Sequence, residues 1–272
     1  MTNSFLAVFI LLSLSAFGQK PDRTFYDTEQ QQVKEEFFTK SRQKNGEYTK
    51  FHFDGMVTIH GTYESDKKTG FWEYFHSNGR RSAMGNYLKD TLGGHWIYFF
   101  RNGKVSTEGN FVAGQKNGSW VVYNERGIKT GEGMFDKGEG TFSEFYPDGT
   151  VERVAMYNNG LKNGESTVYF EDGSVKQTAW FSNNLLVDTM RVYYHEGQIQ
   201  SESIFNAGKL NGLLISYYSN GVLKERSNYK NGLADGESTL FDEKGQLEME
   251  AMYQNGVLIS SKKYKDGVVI DY

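Results

Sequence analysis

Gly70-Phe71-Trp72-Glu73-Tyr74-Phe75-His76-Ser77-Asn78-Gly79 returns 24 residues later as Gly94-His95-Trp96-Ile97-Tyr98-Phe99-Phe100-Arg101-Asn102-Gly103. The same order recurs nine times, in units opening at Gly46, Gly70, Gly94, Gly118, Gly140, Gly164, Asp188, Gly212 and Gly236; every step is 24 residues except Gly118 to Gly140, which is 22. A fixed stride of this kind is the signature of a repeat architecture and settles the fold before any single residue does. Counting the opening residue as zero, position five is always aromatic, as in Phe75 and Phe99, and position nine is always glycine, mostly after Asn or Asp. Position eleven is mostly aliphatic, position fifteen always small (Gly61, Gly85, Gly109, Ala155, Ser203), and position seventeen always aromatic (Tyr63, Tyr87, Phe111, Tyr157).

None of these spacings has a helical period, so each unit reads as two strands around a tight turn. Tyr146-Pro147-Asp148-Gly149 identifies the turn. Proline suits the first corner of a type I turn and the glycine its left-handed bulge position, which gives a three-residue loop. Position five then lies across from eleven, and an uninterrupted ladder puts fifteen and seventeen on that same face. Small residues there let rings from neighbouring hairpins close over the backbone. A lone hairpin cannot bury its rings, so the units must stack. The expected fold is all-β, an elongated open antiparallel meander of about twenty strands and ~90 Å.

On the face opposite the regular aromatics, position two carries Trp72, Trp96, Trp120 and Phe142, then Ser166, Met190, Leu214 and Ser238. Tyr74, Tyr98 and Phe100 have the same parity. Either this second face closes on itself through sheet twist or packs on the N-terminal segment, or its rings form a platform for a partner, since aromatics on rigid strands offer contact area at little entropic cost. The candidate partner-binding residues are therefore Trp72, Trp96, Trp120, Phe142, Tyr74, Tyr98 and Phe100.

Four segments follow from the text. Residues 1–18 contain the apolar run Phe5 to Phe17 and end in Ser15-Ala16-Phe17-Gly18, the form of a cleavable secretory signal. Residues 19–45 form an N-terminal segment with a worn capping repeat, 46–259 the nine tandem units, and 260–272 a C-terminal capping half-repeat. An exported, soluble protein in the periplasm or at the cell envelope is expected. It has no cysteine, so no disulfide framework supports it. The net charge of −4 is interspersed and leaves no basic stripe, which argues against nucleic acid as partner.

No enzyme chemistry is legible. There is no cysteine nucleophile and no Gly-x-Ser-x-Gly elbow, and Gly131-Glu132-Gly133 lacks the context of a phosphate loop. His52 and His76 occupy equivalent positions in adjacent units, about 10 Å apart, too far to share a metal ion. Glu35 and Glu36 are consecutive and point to opposite faces of a strand. Neither a cofactor nor a metal is expected.

The two stretches quoted first resemble the variant MORN repeat, and their pattern is similar to that of bacterial proteins of the YwqK-family antitoxin type, over Gly46 to about Tyr264. The resemblance implies an open antiparallel meander and a protein-binding array. That array neutralises a toxin in the antitoxin family, and serves scaffolding or membrane association in MORN proteins. It brings no catalytic residue. Gly118-Ser119-Trp120-Val121-Val122-Tyr123 also looks like a choline-binding hairpin, which implies an envelope glycan as alternative ligand. The sequence thus reads as an exported, non-catalytic protein-binding scaffold, antitoxin- or immunity-like, with an envelope glycan- or lipid-surface-binding module as the alternative.

Overall fold

A computed structural model describes residues 20–270. They form one sheet of 22 antiparallel strands, each paired with its neighbours in sequence, from Asp22–Phe25 at one edge to Val268–Ile270 at the other, with no helix among the described residues. The expected signal segment lies outside them. The sheet is a single layer, so whatever core exists must be built by side chains lying on the sheet itself.

One unit shows why the sequence takes this form. Strand Lys67–Phe75 turns into strand Arg81–Leu88. Gly79 N–H donates to His76 O at 2.9 Å, and His76 N–H to Arg80 O at 2.8 Å. Gly79 has φ +77°, the left-handed position that a three-residue loop closing on a type I turn requires. As expected, position five faces eleven, in the pair Phe75 and Arg81.

The next rung differs from the expectation. Tyr74 pairs with Ala83, leaving Ser82 as an extra residue in the second strand, and all nine units carry this bulge between positions five and four of the first strand. Beyond it, position two faces fifteen: Trp72 with Gly85, Trp96 with Gly109. Positions two, four, fifteen and seventeen therefore share one face, and five and eleven lie on the other. The reading that placed five, eleven, fifteen and seventeen together, with the tryptophans opposite, is corrected by this single residue, because one extra residue exchanges the faces of everything after it.

A second bulge separates consecutive units. His60 pairs with Glu73 but Thr62 with Thr69, and the opening residue takes positive φ, as at Gly70 with +65°. The 22-residue step is where this second bulge is missing. Strands Lys129–Asp136 and Glu139–Phe145 pair without a shift from Gly131–Glu144 to Asp136–Glu139, and the second strand has seven residues where most others at its place have nine. Deleting two residues from the stride removes the bulge and leaves the repeat in phase on both sides.

Candidate interaction surface

Three of the seven residues of the predicted platform belong to the core. Trp72 is 0 % exposed, and Trp96 and Trp120 are each 2 % exposed. Each indole lies flat on the glycine at position fifteen of the preceding unit. A Cβ built on Gly61 would stand 2.2 Å from Trp72 Cδ2, and the same distance separates Gly85 from Trp96 and Gly109 from Trp120. The absent side chain is the space the ring fills. Trp72 Nε1 donates to the carbonyls of Thr62 and Thr69 at 3.2 Å, Trp96 Nε1 to Asn86 O at 3.1 Å and Trp120 Nε1 to Asn110 O at 3.0 Å, so each of these buried indole N–H groups is satisfied.

Cover comes from the same face. Tyr63 and Tyr87 meet Trp72 edge-on, with centroids at 5.1 and 5.9 Å, and Lys68 Nζ sits 4.6 Å from the centre of its ring. Tyr74 and Tyr98 stand beside these rings and are half-buried. Tyr74 Oη accepts from Lys68 Nζ at 2.9 Å and shares a 3.1 Å hydrogen bond with Tyr87 Oη. Burial raises the Tyr74 and Tyr98 phenols above their ordinary value, and burial together with the bond its hydroxyl gives to Tyr74 pushes Tyr87 up to about 12. Burial also holds the Lys116 ammonium, 4.6 Å over Trp120, below the usual lysine range. Phe142 is half-buried over Gly131, and half-buried Phe100 begins its loop, its N–H donating to Lys104 O at 2.9 Å. A surface of free rings is therefore absent where it was expected, because glycine at fifteen lets a single sheet swallow an indole.

Beyond the short step the pairing is rebalanced. Position two becomes Ser166, Met190, Leu214 and Ser238, while the fifteen before it becomes Ala155, Ala179, Ser203 and Ser227. Ser227 and Ser238 close on each other through a 2.7 Å hydrogen bond. An indole on glycine is exchanged for a smaller side chain on alanine or serine, down to serine on alanine at Ser166 and serine on serine at Ser238.

The opposite face changes in the reverse sense. Position sixteen is Thr62, Asn86 and Asn110 in the first three units, then Met134, Met156, Trp180 and Ile204, and later Met252. All five apolar members are exposed, Met134 at 62 % and Trp180 at 50 %. Four of them stand on alternate strands of this face: Met134 and Met156 both pair with Thr141, Trp180 pairs with Glu165 and Ile204 with Thr189, while the steps from Met156 to Glu165 and from Trp180 to Thr189 cross the bulges between units. Leu161 and Leu185 flank the row toward the strand ends and are exposed too. Around Trp180 the face is recessed, lined by Glu165, Thr178, Asp188, Thr189 and Arg191. Arg191 is committed to Glu202 at 2.6 Å. Among the described residues Glu165 has no cationic partner, and Asp188 only accepts from the Thr189 hydroxyl at 3.0 Å.

Sequence reading missed this row because it followed the regular positions, and position sixteen is not one of them. The available signal was the change from Thr and Asn to Met, Trp and Ile at position sixteen. Among the described residues no three His, Asp or Glu side chains converge on a point that could hold a metal ion, and no helix is long and apolar enough to cross a membrane.

Residues 92–113, 138–159, 210–231 and 234–255 match the family model described as "MORN repeat variant". Four hairpins of this chain are thus of the MORN type. Each match coincides with one two-stranded unit, and together they support a MORN-repeat protein. No curated protein matches the chain. Among solved structures, the chain aligns with the crystal structure of TarM at 13 % identity over 44 % of this chain and 20 % of that one, with a TM-score of 0.23. It aligns with that of TcdB2-TccC3-Cdc42 at 10 % identity over 85 % of this chain and 14 % of the other, with a TM-score of 0.19. The chain thus spans a fifth or less of either, and likeness at this level says nothing of its role.

Proposed function

We propose that this MORN-type chain is an exported, non-catalytic scaffold that binds another protein through the sheet face carrying Met134, Met156, Trp180 and Ile204. The observation that carries the reading is that exposed row. Large apolar side chains recurring on alternate strands along one face of a rigid sheet, with carboxylates between them, suit a contact patch and are exposed where a monomer gains nothing from them. Export rests on the Phe5 to Phe17 run and on the small residues Ala16 and Gly18 at its end. An immunity-like role, with a toxin as the partner, is the narrower form of the proposal and rests on the resemblance to the antitoxin family.

The test is capture from the native cell envelope by the tagged chain, beside a Met156→Lys/Trp180→Ser variant. Both side chains are about half exposed, so the variant should fold normally. One near-stoichiometric protein should be captured, with at least about tenfold less on the variant, as expected for loss of central apolar anchors. Equal capture by both proteins would contradict the proposal. So would retention of the bait on protease-treated wall or on lipid, either of which would favour an envelope ligand.

A further inference from the structure

We propose that the row from Met134 to Ile204 seats an extended basic segment of another protein, polyproline-II-like, with an apolar residue at every third position. The inference rests on the protein-binding reading above and names the chemistry of the partner.

Spacing is the first argument. The apolar teeth stand on alternate strands, and strands lie about 4.8 Å apart, so the teeth recur every ~9.6 Å across the sheet. A polyproline II chain rises ~3.1 Å per residue with three residues per turn, and presents the same side every ~9.3 Å. Over the row, about 29 Å or roughly ten residues, it stays in step to within ~1 Å. An α-helix offers its nearest match at seven residues, about 10.5 Å, and drifts by nearly 3 Å over the same length. It is also straight, whereas the row turns with the twist of the sheet. A chain without internal hydrogen bonds can follow that twist.

Charge is the second argument. Glu165 stands between Met156 and Trp180 in the row, and Asp188 adjoins Thr189 between Trp180 and Ile204, neither with a cationic partner among the described residues. Lysine or arginine between the apolar residues of the incoming chain would meet these carboxylates at the intervals the row sets. Thr141, Thr178 and Thr189 stand beside the teeth, with hydroxyls suited to an extended backbone that brings its own unpaired carbonyls and amides. Trp180, half exposed in its recess, supplies the flat surface on which a proline or aliphatic side chain packs. Asp188 adds a local observation. It is the one opening residue of the nine units that is not glycine, and it holds φ +57°, so the carboxylate at the recess is kept at a backbone cost that glycine would avoid.

The probe is a labelled synthetic peptide of repeated Pro-Leu-Lys triplets, measured by fluorescence anisotropy against the full chain. It is compared with a scrambled peptide of the same composition and with a Pro-Leu-Glu version. The triplet peptide should bind at least about tenfold more tightly than either control and shift the Trp180 emission to the blue. A Met156→Lys/Ile204→Lys variant should lose that binding, while Trp180→Phe, which keeps a flat apolar ring, should retain it. Equal binding of triplet and scrambled peptides, binding indifferent to Met156→Lys/Ile204→Lys, or binding of neither peptide overturns the proposal. If native capture still depends on Met156 and Trp180 while the triplet shows no preference, only the extended-segment inference fails. If capture is also indifferent, the protein-binding reading fails with it.

Discussion

Replacing Gly85 with alanine is expected to lower stability by about 3 kcal/mol, although it adds one methyl group to an otherwise favourable strand position. The built Cβ falls 2.2 Å from Trp96 Cδ2, a separation no packed pair sustains, and the backbone on either side is fixed by cross-strand pairing. The indole must lift, exposing its lower face and stretching the Nε1 bond to Asn86 O. Trp96→Ser alone is expected to cost about 3–5 kcal/mol through the void it leaves over the glycine. The pair Gly85→Ala/Trp96→Ser, however, copies the arrangement of Ala155 and Ser166, which the second half of the sheet already uses. Its loss should fall short of the sum of the single losses by at least ~1 kcal/mol. Denaturant unfolding of the four proteins measures this directly, and additivity within ~0.5 kcal/mol would mean that ring and glycine are not packed on one another.

The second large effect concerns Trp72, Trp96 and Trp120 replaced together by serine. As exposed contact residues they could be removed with little change in folding. As found, they are the most buried side chains of the first half, and the summed loss of about 9–15 kcal/mol is comparable with the entire stability of an ordinary domain. Repeat arrays lose structure locally, because each unit is held chiefly by its neighbours. Hydrogen exchange should therefore show amides across 46–136 exchanging as in an unfolded chain, while those across 161–254 stay protected. Protection retained throughout would return the tryptophans to the surface and remove the basis for assigning contact to the other face.

These outcomes turn on what the sequence could and could not disclose. The stride, the strand count and the loop geometry were all readable, because Pro147 and the glycine at position nine admit few turn types. Face assignment was not, since it depends on parity, and one bulged residue at Ser82 and its equivalents reverses parity without altering the stride. A compensating signal was nevertheless present in the pairs at positions two and fifteen. Trp72 follows Gly61, Phe142 follows Gly133, Ser166 follows Ala155 and Ser238 follows Ser227. Such a trade of volume is intelligible only if the two positions touch. The seven candidate residues were chosen for aromatic character, and burial took three of them because a ring on a single-layer sheet can be covered by the residues flanking it. Trp180 passed unnoticed for the complementary reason: its neighbours in the row, Met156 and Ile204, are aliphatic, and the row has no aromatic signature.

The most direct test of the account is the accessibility of the four indoles to acrylamide, followed through their fluorescence in the native chain and in Trp180→Phe. Trp72, Trp96 and Trp120 are sealed between glycine backbone and neighbouring aromatic rings, tyrosines at the first two and Phe111 at the third, and Trp180 alone stands half in solvent. The account predicts that one indole in four is quenched, with red-shifted emission, and that Trp180→Phe abolishes this fraction while leaving the blue-shifted remainder intact. Quenching of most of the emission, or a quenchable fraction that survives Trp180→Phe, would place the other tryptophans at the surface and contradict the division of the sheet into a packed face and a contact face.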